Sequence, residues 1–527
     1  VSQPKKTLTV GTPWRVILLF TVPLLIGNIV QQMYHVIDAV VVGQSLGVNS
    51  LAAVGVTGSL LFLFIGFAWG MTSGFAIPTA QAYGGGNYAA VRRSVAAGTI
   101  LTAGISLLLT VSAPFLAEPL LRLMRTPTEL LPEATTFAVI SFLGAASTMF
   151  FNYLSAIIRA IGDARTPLIF LIVSCVLNIA LVVLFVSIMG HGVGGAAFAT
   201  VLAQLGAVIG CFWYLKAKLP VLHVERKDWK VSYQELSHHL RIGVPMGFQA
   251  SIIAIGTVVV QVKLNEMGSE AVAAYTAATR VDGLAVAFLA SLGLAVSTFV
   301  AQNYGARQFG RIRQGVRQSL VMATIGSIVL AVTLIAAGSP IVRMFVGDAA
   351  ENVVSMAHWY LVVNGVLYFT LGLLFVLRGA LQGLGRTFVP MMTGVTELVG
   401  RVGAAIILGS YFGFSGIVWG NPIAWIAAVV LLWPAWRRAL RDIRSDELAF
   451  DLISTENAPV VAGVSEAERA AAASMTQAES VVVTDACEPA ALYPDAILAA
   501  TAAEPDGEPL DLEQSTPKRE VCGVTTN

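Results

Sequence analysis

Ala80-Gln81-Ala82-Tyr83-Gly84 recurs 221 residues later as Ala301-Gln302-Asn303-Tyr304-Gly305. The same offset pairs Gly47 with Gly268, Ala52-Ala53 with Ala273-Ala274, Pro119 with Pro340 and Arg122 with Arg343. It also pairs Gly162 with Gly383, Arg165-Thr166 with Arg386-Thr387, and Gly192 with Gly413. Agreement at so many Gly, Pro and Arg positions reports a duplicated unit. The unit is apolar: of 527 residues 56% are hydrophobic and 12% charged, with a mean hydropathy of +0.76. Soluble domains carry about 25% charged residues. Lipid accepts apolar side chains on every face of a helix, so the deficit points to membrane-spanning helices.

Apolar stretches of the length a bilayer needs fall near 14–43, 51–80, 94–116, 135–158, 167–189 and 194–215. Six more follow near 242–264, 271–300, 318–338, 356–377, 390–410 and 416–436. The expected fold is therefore an all-α membrane protein of about twelve transmembrane helices in two pseudo-symmetric six-helix bundles. Residues 1–13 form a cytoplasmic N-terminus, 14–215 a first lobe, 216–241 a linker and 242–440 a second lobe. Six spans per lobe is an even number, so both lobes insert in the same direction, as a parallel repeat. Lys and Arg near the span ends divide 23 against 3, with Arg122, Arg125 and Arg343 alone on the poorer side. By the positive-inside rule both termini are cytoplasmic and the chain is a multi-pass protein of the inner cell membrane.

The net charge of +1 hides an asymmetry, because the segment from Asp446 onward carries −13 and the rest +14. Residues 441–527 have no sustained apolar period and are expected to form a disordered acidic tail. Cys175, Cys211, Cys487 and Cys522 show neither pairing nor metal-ligand spacing, and no cleavable signal precedes the first span. No metal cluster, Gly-x-Ser-x-Gly elbow or phosphate loop is present, so neither catalytic nor metal-binding residues are expected. Arg-rich loops report topology, and nucleic acid is not an expected partner.

Ionisable residues inside spans are costly and mark ion pathways or helix ties. Asp38 lies in the first span, with His35 three residues earlier on the same helix face. Its repeat counterpart is Val259 or Val260, so this acid belongs to one bundle only. Duplicated scaffolding should be symmetric, and the asymmetry favours a functional acid. Asn178 and Thr200 are polar residues able to complete a site in the same bundle, although either type alone also serves helix packing. Tyr34, Met149 and Tyr153 are candidates to line a pocket for flat cations. Glu397 and Arg401, four apart, read as a structural ion pair, while Arg280 and Asp282 either pair with other groups or face a cavity.

The run Asp38…Gly43…Leu46-Gly47…Leu51-Ala52-Ala53-Val54-Gly55, the two Ala-Gln-x-Tyr-Gly segments and Gly192-Val193-Gly194-Gly195-Ala196-Ala197…Thr200 resemble the multidrug and toxic compound extrusion (MATE) transporters over about residues 14–440. The resemblance implies a two-lobed antiporter that exports organic cations, drugs or metabolites against inward proton or sodium flow. It places Asp38 on the family's first-span acid, Asn178 on a fifth-span Asn and Thr200 on a sixth-span Thr of the coupling-ion site. Val182 stands where some members carry a second acid. Ile253 and Leu371 stand where the sodium-coupled branch has acids, which favours the proton. Thr396-Glu397-Leu398…Arg401 and Ala278-Thr279-Arg280-Val281-Asp282 look closer to the DinF-like branch. No cofactor beyond the coupling ion, a small organic substrate, a bilayer setting and a monomer are implied. The alternative is a flippase for lipid-linked oligosaccharides of the same superfamily, which needs cavity arginines. Arg280 and Arg401 are the ones on offer.

Overall fold

The computed structural model describes residues 8–124, 126–346 and 351–456, and all regular structure among them is helical. The first half contains α1 (Pro13–Leu46), α2 (Val48–Gly84), α3 (Tyr88–Leu123), α4 (Leu131–Leu143), α5 (Ala145–Ala160), α6 (Arg165–Val182) and α7 (Gly192–Lys218). The second contains α8 (Tyr233–Glu266), α9 (Ser269–Gly305), α10 (Phe309–Val346), α11 (Glu351–Val366), α12 (Tyr368–Gly383), α13 (Phe388–Gly403), α14 (Gly409–Phe412), α15 (Phe414–Val418) and α16 (Gly420–Glu456). Ten helices are long and apolar enough to cross a bilayer among the described residues. The pairs α4/α5 and α11/α12, bent by 48° and 52°, make twelve if each is one span. The first bend falls at Gly144, where a side chain would overlap Val201 of α7.

The repeat extends to the backbone. Gly47 and Gly268 join the first two helices of each half with φ of 90° and 99°, a region closed to most side chains. π-helical turns at Val183–Ile188 and Ala404–Leu408 start 221 residues apart, and at the same offset Gly86 and Arg307 both have positive φ. An i→i+5 turn is rare and local. Its recurrence in register shows that the halves fold alike.

Two boundaries differ from those expected. The linker is shorter than 216–241, because α7 runs to Lys218 and α8 starts at Tyr233. Lys216 and Lys218 complement the C-terminal helix dipole, and Ser232 with Glu235 forms a reciprocal capping box. The tail does not begin at 441, since α16 continues to Glu456. Buried Ile443 and ion pairs of Asp442 with Arg386 (2.6 Å) and Glu447 with Arg313 (2.5 Å) hold this extension on the helical body. Residues 457–527, most of the expected tail, lie outside the described residues, as does Arg125.

Between α7 and α8 the chain makes 3₁₀ turns at Pro220–Leu222 and Arg226–Trp229. Buried Asp228 accepts from the Glu225 N–H and from Arg92 Nε of α3, both at 3.0 Å. Burial pushes its carboxyl upward, but the two donors and the charges of Arg92 and Lys227 prevail and hold it below the usual carboxylate range. A lowered folded value stabilises above the unfolded value and is lost as pH falls through the folded one. The contact is therefore fully made above about pH 4 and lost below it. Asp228→Asn is expected to lower Tm slightly near neutrality and to remove part of the acid-side fall. Thermal-scanning fluorescence across that range checks both; identical curves would show that the tie contributes nothing.

The halves have separate apolar cores, and α1 belongs to both. Ile17, Phe20 and Leu24 pack into the second half's core, whereas Val41, Val42 and Leu46 pack into the first half's. The ends of the helices that carry the Lys/Arg loops form a basic end, and there the halves close on each other. Gly70 and Gly74 of α2 meet the Met246 carbonyl and Gly243 of α8, an approach that leaves no room for side chains. The duplicated motifs touch reciprocally: a methyl on Gly84 would overlap the Gln302 carbonyl, and one on Gly305 the Gln81 carbonyl. Gln81 Nε2 donates to the Gly383 carbonyl (3.0 Å), and Gln302 Nε2 to the Ala160 carbonyl (2.6 Å). Farther along α2, Ser251 Oγ of α8 donates to the Leu63 carbonyl at 3.1 Å, and beyond it a methyl on Gly58 or Gly55 would meet no described atom within 4 Å.

Candidate functional site

Asp38 lies eight residues before the end of α1, roughly 12 Å from it at 1.5 Å per residue. That is the end away from the basic loops, beyond the closed part of the seam. Its side chain is half-buried, and its Oδ1 is buried without a hydrogen-bond partner among the described residues. One turn earlier on the same face, Tyr34 Oη donates to Thr200 Oγ1 of α7 at 3.1 Å. Asn178 Nδ2 of α6 donates to the same oxygen at 3.1 Å, and the Thr200 hydroxyl donates to the Ala196 carbonyl. Three residues singled out from sequence thus meet around one oxygen, with the acid a turn away. Asn178 is fully buried, because α6 and α7 pack on α1. Backbone N–H groups there are taken by the helices themselves, so side chains must satisfy one another. His35 belongs to α1, and its side chain lies outside the described residues.

Met149 and Tyr153 do not line a pocket. They are 1% and 0% exposed on α5, and the Tyr153 hydroxyl donates to the Val95 carbonyl of α3 at 2.8 Å. Gly98 of α3 leaves the space that the tyrosine ring fills. These residues hold the first bundle together.

In the second half, Glu397 (4% exposed) pairs with Arg401 (3.7 Å) as expected, but its closer partner is Arg378 of α12. Arg378 also donates to Thr393 at 2.9 Å. Sequence had counted Arg378 among the loop charges, since it precedes the end of its helix by only five residues. Removing one member of a buried ion cluster leaves an uncompensated charge and costs about 3–5 kcal/mol. Glu397→Gln is expected to lower Tm by several degrees and to cut the yield of monodisperse protein. Unchanged thermal behaviour on size exclusion would refute a structural role for this cluster.

Asp282 of α9, 7% exposed, is held by hydroxyls and not by Arg280, which is exposed. Tyr368 donates to its Oδ1 at 2.5 Å and Tyr360 to its Oδ2 at 3.5 Å, while Asn421 donates to the Tyr360 hydroxyl at 2.9 Å. Of the two arginines offered to a pyrophosphate head, Arg401 is already engaged with Glu397.

Known proteins agree with this architecture. The MatE family model matches residues 23–184 and 245–407, one copy in each half. The chain is 29% identical over 443 residues to the Probable multidrug resistance protein YoeA of Bacillus subtilis (strain 168), covering 82% of this chain and 95% of that protein. It is 28% identical over 378 residues to the Probable multidrug resistance protein YpnP of the same organism, covering 72% of this chain and 84% of that one. A solved structure described as the outward-facing conformation of a multidrug resistance MATE family transporter of the MOP superfamily superposes with a TM-score of 0.77 at 23% identity, over 84% of this chain and 99% of that one. The matched segments make up more than half of the chain and fall on its two repeated bundles, and so it belongs to the MATE family, whose members are membrane transporters and not enzymes.

Proposed function

We propose that this chain is a proton-coupled antiporter of the cell membrane that exports organic cations, drugs or metabolites by alternating access between its two halves. The basic end then faces the cytoplasm, a reading that the Lys/Arg distribution supports. Asp38 carries the coupling proton, with Tyr34, Asn178 and Thr200 setting its surroundings. The observation behind this reading is the unpartnered Asp38 Oδ1 beside a satisfied polar cluster. A purely structural acid would use that oxygen, because an unmade bond at a buried group costs about 1–3 kcal/mol.

The path of α1 supplies a means of coupling. Its far end carries Asp38 in the first bundle, while Ile17, Phe20 and Leu24 pack on the second. Asn28 Nδ2 also donates to Ser291 Oγ of α9 at 2.8 Å, across the seam. A change of charge at Asp38 alters how α1 seats in the first bundle, and the helix passes that change to the other half. Proteoliposomes loaded with a fluorescent cation test the ion. Efflux is expected to follow an imposed pH gradient and to ignore a sodium gradient. Efflux that needs sodium and ignores pH would overturn proton coupling.

A further inference from the structure

Just inside the Gln302–Ala160 hydrogen bond lies a small cavity of about 30 Å³ between α2, α5, α8 and α9, lined by Ser73, Arg159, Met246, Ser297 and Thr298 among small apolar residues. Arg159 was counted from sequence as a loop charge near the end of α5. In the fold Arg159 lines this seam cavity, half-buried, and makes no hydrogen bond or ion pair among the described residues. The nearest acid in sequence cannot serve. Asp163 caps α6, accepting from the Arg165 and Thr166 N–H groups (3.0 and 3.1 Å) and from the Thr166 hydroxyl (2.6 Å). Ser73 Oγ is likewise buried with no partner.

A guanidinium keeps its charge in proteins, and burying one without an anion is expensive. The repeat makes the arrangement more pointed. The counterparts of Arg159, Ser73 and Ser297 are Ala380, Leu294 and Ala76, so none of these polar groups has a polar counterpart at the repeat-related position. The second half's inner arginine, Arg378, has its own acid, Glu397.

We propose that this cavity is an anion subsite, in which Arg159 and the Ser73 hydroxyl receive the carboxylate or phosphate of a water-soluble, zwitterionic or anionic cargo. The proposal rests on the export reading above, and deepens it: opening the seam at the basic end exposes Arg159 to solutes on that side. Arg159 can supply a planar pair of donors and Ser73 a third, a donor set whose chemistry suits a two- or three-oxygen anion.

The test uses the full chain in nanodiscs and two dyes on one xanthene frame, dianionic fluorescein and cationic rhodamine 6G, with binding read by fluorescence anisotropy. Arg159→Gln is expected to lower the ratio of fluorescein to rhodamine affinity at least tenfold, and Arg159→Lys and Ser73→Ala to lower it less. An unchanged ratio, or an equal loss of both dyes, overturns the subsite. Competition of bound fluorescein by inorganic phosphate supports a soluble cargo, whereas displacement by short-chain phosphatidate alone overturns that assignment in favour of a lipid headgroup. Failure of wild-type vesicles to export either dye would refute the export reading, while the anisotropy ratio still decides the subsite.

Discussion

Asp38→Asn stops proton-driven export, lowering the initial rate by roughly two orders of magnitude, the scale on which loss of a proton-transfer group acts. The substitution keeps shape and removes only the ability to take up and release a proton. Because Asp38 Oδ1 accepts no hydrogen bond among the described residues, the substitution breaks none there, and the protein should express, fold and bind cargo as before. Tyr34, Asn178 and Thr200 remain bonded to one another without it. The measurement is efflux from vesicles under an imposed pH gradient, wild type beside variant, with cargo binding as the control for folding. Wild-type export by Asp38→Asn would remove the acid from the mechanism. Loss of cargo binding together with export would make it a cargo ligand instead.

The second large effect is expected where the two copies of the motif meet. An alanine methyl at Gly84 or Gly305 would fall on a backbone carbonyl of the other half, and main chain cannot swing aside as a flexible side chain does. Overpacking of this kind costs about 1–3 kcal/mol. The cost is confined to the state in which the basic end is closed. It therefore shifts the closed-to-open equilibrium by about 5- to 150-fold. Gly84→Ala and Gly305→Ala should each slow export by such a factor, and the pair together more. A cysteine placed at Ala160, in a background without the native cysteines, should gain reactivity toward a maleimide applied from the basic end. If labelling and export both stay at wild-type levels, closure of this contact is not part of the cycle. Gln81 and Gln302 offer a milder version, since on replacement by alanine Gln81 loses its bond to the Gly383 carbonyl and Gln302 its bonds to the Ala160 carbonyl and from the Leu8 N–H.

Sequence located the first-half cluster well and its surroundings poorly. Asp38 was visible because acids are rare in spans, and Asn178 and Thr200 because the MATE resemblance placed them with it. Tyr153 was misjudged for the opposite reason. Tyrosines are common on both packing and cavity faces, and only the Val95 carbonyl and the space over Gly98 decide which face this one takes. Asp282 met its tyrosines from 78 and 86 residues away, a distance over which no local period carries information.

The sequence by itself determined what depends on composition and period. Apolar length set the helical class and about twelve spans, the 221-residue offset set the two like bundles, and the broken symmetry at Asp38 picked out one of them. Charges near span ends were beyond its reach. Arg159 and Arg378 both read as loop arginines, yet the first lines a seam cavity and the second is buried on Glu397. A helix advances about 1.5 Å per residue, so an arginine a few residues from its helix end sits within reach of either water or the bundle interior. The neighbouring helix settles the choice, through the acid it presents or withholds, and that is a property of packing.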